Sequence, residues 1–163
     1  MPNICSNWIR VSNCTSTLEY LAARPLTLDI IDKKPESPNT PSSSDWAEEW
    51  VDKHWGTRWI NGNTSEECDV TWTREDDGSL TARFFSAWSP PLAFYNRIVE
   101  TYPQLHLEYE YAVWEMGCAG YGIGGSDPHH FGYDSKEEMG GLKTSRHWHV
   151  TIWNPHFSSP ESE

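Results

Sequence analysis

The fold is decided by residues 70–113, which read VTWTREDDGSLTARFFSAWSPPLAFYNRIVETYPQLHLEYEYAV. An Asp-Gly pair at 77–78 separates two apolar runs, which predicts a β-hairpin. A Pro-Pro pair at 90–91 suits the first turn of a helix, and the sequence over 104–115 then alternates apolar and polar residues with a period of two. The segment therefore predicts strand, hairpin, strand, helix and strand in that order.

The flanking sequence completes this plan. Upstream, apolar and polar residues alternate over 7–12, which predicts a strand, and a short helix follows to Ala23. The same alternation over 26–30 predicts a second, short strand. Downstream, the glycine-rich and polar segment 117–145 predicts loops, and residues 146–153 alternate as a last strand. The core order strand–helix–strand–strand–helix–strand is the split βαβ plan. We therefore expect an α+β protein with a ferredoxin-like antiparallel sheet and helices on one face.

A Trp-rich helical insertion is expected at about 35–60. A loop rich in Pro and Ser leads into a helix over 45–56, and Trp46, Trp50 and His54 recur every four residues as the stripe that this helix would bury. Four indoles are predicted to form an appended layer against the sheet or its edge: Trp46, Trp50, Trp55 and Trp59.

Length, termini and cysteines indicate one intracellular domain. The chain has 163 residues, which is close to the usual size of a single domain. We expect the domain to span 1–155 and to be followed by a disordered tail at 156–163. The sequence contains no basic-then-apolar leader and no run of 18 apolar residues, so a cytoplasmic location without membrane contact is predicted. None of the four cysteines forms a Cys-x-x-Cys pair, which argues against a zinc knuckle.

The charge favours a basic partner. The net charge is −12, from 24 acidic and 12 basic residues. Direct binding to a phosphate backbone normally needs a basic patch, so direct nucleic-acid binding is not expected. Residues 36–79 hold eleven acidic and three basic side chains, a net of −8. This acidic segment is either a solubilising surface or a binding surface.

The binding interpretation assigns a partner and a set of residues. The partner would be a host or defence protein with a basic, nucleic-acid-binding surface, and inhibition of a CRISPR system (anti-CRISPR) is one instance of such a role. The residues predicted to bind it are Glu48, Glu49, Asp52, Glu66, Glu67, Asp69, Glu75, Asp76 and Asp77.

Three short motifs carry a family resemblance. The chain opens with Met-Pro-Asn-Ile-Cys-Ser-Asn at 1–7, has Trp-Gly-Thr-Arg-Trp at 55–59, and has Ser-Ala-Trp-Ser-Pro-Pro at 86–91. Together they resemble the YubB-like proteins of phages, prophages and conjugative plasmids over roughly residues 1–122. Ile4 departs from the Trp that this family usually has at that position.

The resemblance implies a ferredoxin-like domain and a mobile-element origin in a bacterial host. It supplies no catalytic residues, because the function of the family is essentially unknown. Within its motifs, Gly56 is interpreted as a helix C-cap, and Trp88 as a side chain packed at the start of a helix that Pro90 fixes.

Two further functions remain open at the sheet face opposite the helices. Metal-ligand side chains on neighbouring strands would allow a metal-dependent hydrolase or nuclease, with the candidate ligands His106, Glu108, His147 and His149. The same predicted face carries Trp8, Arg10, Arg83, Phe85 and Glu110, and its two aromatic and two arginine side chains would suit a nucleotide- or single-strand-binding module. No metal-motif spacing is present, so exposed strand residues without a function explain the pattern equally.

The glycine-rich region offers weaker candidates. Asp127, His129 and His130, with Asp134 close by, are metal-ligand residue types. The glycines at 120–125 lack the Lys-Ser/Thr pair of a phosphate loop. No catalytic residue and no cofactor is assigned.

Overall fold

A computed structural model describes residues 3–31, 44–58, 60, 70–113 and 116–132. The helices are α1 (Thr15–Ala22), α2 (Ser44–His54) and α3 (Leu92–Thr101), and a 3-10 turn spans Leu28–Ile30. The strands are β1 (Ile4–Ser12), β2 (Thr73–Arg74), β3 (Leu80–Ala87), β4 (His106–Val113), β5 (Cys118–Ile123) and β6 (His129–Gly132). In the described part of the chain, no helix is long and apolar enough to cross a membrane.

The strands form one antiparallel sheet in the order β2-β3-β1-β4-β5-β6. The connection from β1 through α1 to β2 skips over β3, and the connection from β3 through α3 to β4 skips over β1. This is the ferredoxin-like arrangement that the order of elements predicted. The strands β5 and β6 extend the sheet beyond β4.

The core lies between the sheet and the helices. Alternate residues of β1 face the helices and are buried: Cys5, Asn7, Ile9 and Val11. In the central register, Ile9 pairs with Ala82 of β3 and Tyr109 of β4. These residues share one apolar cluster with Leu21 of α1 and Ile98 of α3.

The inserted helix α2 packs beside α3. Val51 of α2 and Trp55, which directly follows the helix, are buried, and the carbonyl of Trp55 accepts a hydrogen bond of 3.2 Å from the N–H of Phe94 in the first turn of α3. Gly56 ends the helix with a φ of +73°, as the sequence predicted, and a Cβ atom there would lie 3.2 Å from the backbone nitrogen of Ala93. Glycine therefore lets the two helix ends approach, and their dipoles attract.

The buried stripe of α2 differs from the prediction. Val51 and Trp55 are buried, whereas Trp50 is half-buried and stacks on His54 with ring centroids 4.4 Å apart. The hydrogen bond between Trp55 and α3 fixes the rotation of α2 about its own axis. Trp50 and His54 therefore lie beside the buried surface of α2 and not at its centre. The side chains of Trp46 and Trp59 lie outside the described residues, so the four-indole layer stays a prediction.

Two further predictions of local structure were wrong. The segment 26–30 forms no strand, and its residues Leu28–Ile30 form a 3-10 turn. Leu26 and Leu28 are both buried, so the period-two pattern reflects burial and not strand pairing. The segment 117–145 was predicted to be loop, yet it contains β5 and β6. The predicted last strand at 146–153 and the tail at 156–163 lie outside the described residues.

The glycines of β5 explain that error. Gly120 pairs with Tyr111 and Gly122 pairs with Tyr109 of β4. A Cβ atom at Gly120 would lie 2.4 Å from the Tyr111 ring, and one at Gly122 would lie 2.5 Å from the Tyr109 hydroxyl oxygen. The glycines thus leave room for tyrosine rings that lie across the neighbouring strand, and they do not interrupt it.

Candidate functional site

The backbone at Trp88 is the most unusual feature of the junction between β3 and α3. Trp88 has a φ of +66°, a left-handed conformation that a bulky residue rarely adopts, and its side chain is 52% exposed. The sequence predicted a packed Trp88, and this is wrong. About half of the indole is in contact with solvent.

Hydrogen bonds from the core hold this strained junction. The buried Asn7 amide donates to the Ser86 hydroxyl at 2.8 Å, and that hydroxyl donates to the carbonyl of Ser89 at 2.6 Å. The N–H of Trp88 donates to the carbonyl of Asn3 at 2.8 Å. Such bonds can maintain a backbone conformation that costs about 1–3 kcal/mol, and strain of this kind is frequent at functional sites.

A cleft of about 500 Å³ opens beside Trp88. It lies between the last turn of α2, the first turn of α3 and the adjoining ends of β4 and β5. The residues that determine its chemistry are Asp52, Trp88, Leu92, Tyr111, Met116 and His130. Most of its surface is apolar with a few polar groups, which is the usual character of a binding site.

Tyr111 and His130 form a polar pair in the lining of the cleft. The Tyr111 hydroxyl lies 2.6 Å from His130 Nδ1, and the two rings are 5.9 Å apart and tilted by 20°. Burial raises the pKa of the Tyr111 phenol well above its usual range, so the hydroxyl keeps its proton at neutral pH. The pair can therefore exchange hydrogen bonds with a bound group, but it offers no phenolate nucleophile.

Cys118 also contacts the cleft. Burial raises the pKa of its thiol, which keeps it protonated and unreactive near neutral pH. The side chains of this cleft favour binding over nucleophilic chemistry.

One of the predicted acidic residues of α2 lies in the cleft, and the other two lie within one turn of it on the same helix. Glu48, Glu49 and Asp52 are all exposed, and Asp52 lines the cleft itself. Glu48 and Asp52 are four residues apart and so lie on the same side of the helix. Arg58 pairs with Glu48 at 2.7 Å.

A second acidic group lies in the β2–β3 turn. Glu75, Asp76 and Asp77 are exposed there, before the first residue of β3, whereas the cleft adjoins the end of β3. The Asp77 carboxylate accepts hydrogen bonds from the Ser79 hydroxyl at 2.6 Å and the Ser79 N–H at 2.9 Å, and it pairs with Arg10. The Ser79 hydroxyl is the main cause of a lowered Asp77 pKa. Asp77 thus has a local role in the turn.

The structure separates the predicted acidic surface into these two groups. It places Asp52 in the lining of the cleft and Glu48 and Glu49 on the same helix, whereas Glu75, Asp76 and Asp77 lie before the start of β3, away from the cleft at its end. The remaining members of the predicted set, Glu66, Glu67 and Asp69, lie outside the described residues.

The sheet face opposite the helices is covered at its centre. Trp8 and Glu110, which form a cross-strand pair, are only 7% and 3% exposed. The prediction of an open face is therefore wrong at these two positions. The Trp8 ring is too little exposed for a base to stack on it. Phe85 is half-buried and Arg83 is exposed.

The predicted metal ligands are described only in part. His106 Nε2 lies 3.6 Å from Glu108 Oε1, and Arg10 lies 3.6 Å from the other oxygen of Glu108. His147 and His149 lie outside the described residues, so the full ligand set stays a prediction. Among the described residues, no group of three or more His, Cys, Asp or Glu side chains is placed to hold a metal ion.

The histidines after the glycine-rich strand take part in aromatic contacts. His129 stacks on Tyr121 with ring centroids 5.0 Å apart, and His130 pairs with Tyr111. Asp127 is exposed, and Asp134 lies outside the described residues. The sequence singled out His130 for metal binding, whereas its described contact is the tyrosine in the cleft.

Comparison with known families identifies the fold class of the C-terminal half. A family model described as "Ferredoxin-like domain in Api92-like protein" matches residues 67–151. The chain belongs to this family. The match includes the strands from β2 to β6 and α3, and thus Trp88, Tyr111 and His130 of the cleft. No curated protein and no solved structure matches the chain.

Sequence reasoning missed the cleft for two reasons. The exposure of Trp88 depends on a left-handed backbone that its aromatic side chain does not signal, and Tyr111 looked like one more inward residue of a strand. Alternating glycines opposite alternating tyrosines were the available signal, because they indicate a strand that makes room for rings.

Proposed function

We propose that this protein is a non-catalytic binding module that docks a basic protein partner on one face. We define this docking face by Glu48, Glu49, Asp52, Trp88 and Met116. The observation that carries the proposal is the juxtaposition of the exposed Asp52 carboxylate of α2 with a cleft where Trp88 and Met116 are 52% and 61% exposed.

The composition of the docking face suits protein recognition. Trp and Met are enriched at the centres of protein interfaces, where a few aromatic side chains contribute most of the binding free energy. Carboxylates at the rim accelerate association with a positively charged surface and disfavour negatively charged competitors. The strained junction keeps the Trp88 indole exposed before binding, which lowers the entropy lost on association.

The narrower form of the proposal concerns the partner. A host or defence protein that handles nucleic acid presents Lys and Arg, and an acidic face can occupy that surface by matching the phosphate charge. A phage or other mobile element would use such a protein against host defences, with anti-CRISPR activity as one instance. The support for this narrower form is the net charge of −12 and the resemblance to YubB-like proteins.

A charge-reversal experiment tests the proposal. The triple variant Glu48→Lys, Glu49→Lys, Asp52→Lys is compared with the wild type in affinity capture from bacterial lysate, followed by titration of the purified partner at several salt concentrations. We expect the triple variant to lose at least tenfold in affinity at low salt and to lose the salt dependence of association.

The matched control reverses three exposed acidic residues elsewhere: Glu19→Lys, Glu100→Lys, Asp127→Lys. Its net charge equals that of the triple variant, and Glu19 and Glu100, like Glu48, each pair with an arginine. The control is expected to bind as the wild type does, apart from a small uniform effect of net charge. Equal binding by the triple variant and the control would contradict the proposal, as would the absence of any captured partner.

A further inference from the structure

The cleft places a carboxylate and an exposed indole around one apolar space. Asp52 enters the lining from the last turns of α2, and Trp88 enters from the β3–α3 junction. The volume of about 500 Å³ falls within the range of about 300–1,000 Å³ that is usual for ligand pockets. This space can therefore accept a long side chain of a partner.

We propose that the cleft receives an arginine side chain of the protein partner, with its guanidinium between the Asp52 carboxylate and the Trp88 ring. This inference rests on the proposed function and names the chemical group that the docking face recognises.

Arginine fits these groups better than other side chains do. Its guanidinium is planar and can stack on an indole face while it donates two parallel hydrogen bonds to a carboxylate. Its three-carbon stem can pack on the apolar part of the lining, which includes Leu92 and Met116. A lysine ammonium is more strongly hydrated and offers no flat face, so we expect lysine to bind more weakly.

An anionic ligand is disfavoured at the same place. The described lining holds the Asp52 carboxylate and no Lys or Arg side chain, so its formal charge is negative, whereas Glu48, one turn away on α2, is already paired with Arg58. The first turn of α3 could attract an anion, but its Phe94 N–H donates to the carbonyl of Trp55. The charge of the lining therefore selects a cation.

Hydrogen bonds on both sides of the cleft make it rigid. The Tyr111 hydroxyl and the His130 ring are already joined at 2.6 Å, which fixes the orientation of both groups. On the other side of the cleft, the Ser89 hydroxyl donates to the Gly56 carbonyl at 3.1 Å, and the Ser89 carbonyl accepts a hydrogen bond from the Ser86 hydroxyl. These two hydrogen bonds fix the rim there. A rigid cleft loses little entropy when a side chain enters it.

The direct test uses three short peptides and the folded, ¹⁵N-labelled protein. The probes are acetyl-Gly-X-Gly-amide with X as arginine, lysine or citrulline, the uncharged isostere of arginine. The indole N–H signal of Trp88 is assigned by its loss in Trp88→Phe. We expect the arginine peptide to shift this signal saturably, with a dissociation constant at least tenfold lower than that of the citrulline peptide, and the lysine peptide to lie between them.

Asp52→Asn provides the variant arm. Asp52 is exposed, so its replacement leaves the fold intact, and we expect about a tenfold loss of affinity for the arginine peptide. Glu19→Gln is the control, and we expect it to change nothing. Equal binding of arginine and citrulline, absence of a saturable shift, or full binding by Asp52→Asn would each overturn the inference.

Its failure can be distinguished from failure of the proposed function. If the α2 charge reversal abolishes partner binding while Asp52→Asn leaves it unchanged, the docking face stands and the arginine site is wrong. If the arginine peptide binds but Asp52→Asn leaves partner affinity unchanged, the cleft does not receive the partner's arginine, and the inference is likewise overturned.

Discussion

At the scale of single residues, Trp88 shows how a local conformation can serve a purpose other than stability. A left-handed backbone costs an L-residue with a Cβ atom roughly 1–2 kcal/mol. Packing of the indole offsets little of this free-energy cost, since about half of the side chain stays in solvent. A residue that is both strained and exposed is therefore a candidate for a role in binding.

The strain at Trp88 leads to a prediction for Trp88→Gly. Glycine adopts the positive φ without penalty but gives up the partial burial of the indole, so we expect the free energy of unfolding to change by less than about 1 kcal/mol. Partner binding should fall at least tenfold in the same variant. Chemical denaturation and partner titration measure the two quantities.

A buried aromatic residue provides the comparison. Phe84 is fully buried, and Phe84→Ala should lower the free energy of unfolding by about 3–5 kcal/mol. A loss of that size in Trp88→Gly would mean that the indole is a structural anchor and would contradict its assignment to the docking face.

At the scale of elements, the β2–β3 turn shows that an acidic cluster can be structural. Asp77 accepts two hydrogen bonds from Ser79 and pairs with Arg10 of β1, so it ties the turn to the neighbouring strand. Glu75 accepts a hydrogen bond of 2.7 Å from the Thr81 hydroxyl. The sequence-based prediction placed these carboxylates in one binding surface with those of α2. A count of charges does not show which carboxylates form hydrogen bonds within a turn and which are exposed on a helix.

A pH-dependent effect of Asp77→Ala follows. The Ser79 hydrogen bonds hold the pKa of Asp77 below its usual value of 3.8, so the ionised carboxylate favours the folded state above that pH. This contribution is lost as the pH falls through the folded-state pKa. Asp77→Ala should therefore lower the melting temperature at pH 7, and its difference from the wild type should shrink as the pH falls below 3.8.

Asp76→Ala is the matched control, because Asp76 is the exposed neighbour in the same turn. It should leave the melting temperature nearly unchanged at both pH values. A difference for Asp77→Ala that stayed constant or grew toward low pH would show that the hydrogen bonds to the ionised carboxylate do not stabilise the turn.

Elements also mark the limit of sequence-based prediction. The hairpin at 77–78, the helix after the Pro-Pro pair and the alternating strand β4 were predicted because local residues determine them. The strand β5 and the rotation of α2 were missed because non-local contacts determine them: Gly120 depends on Tyr111, and Trp55 depends on α3. Of the candidate site, only the binding role of the α2 carboxylates was predicted. The cleft itself was missed because it is built from segments that are distant in sequence.

At the scale of the whole molecule, the ferredoxin-like sheet separates two surfaces. Its helical side carries the docking face at the end where α2 meets α3. Its opposite side is covered at Trp8 and Glu110 and carries the Arg10–Glu108 and His106–Glu108 contacts at one end of the central strands β1 and β4. The two surfaces lie on opposite sides of one sheet, so the position of a bound partner can be determined without ambiguity.

Hydrogen exchange measured by mass spectrometry, with and without the captured partner, shows directly whether the partner binds the docking face. We predict slower exchange in the partner complex for peptides that cover 48–58, 88–93 and 116–118, and unchanged exchange for peptides that cover α1 and the β2–β3 turn at 75–79. Slower exchange confined to α1, to that turn or to the strands that present Arg10 and Glu108 would place the partner elsewhere and contradict the docking face.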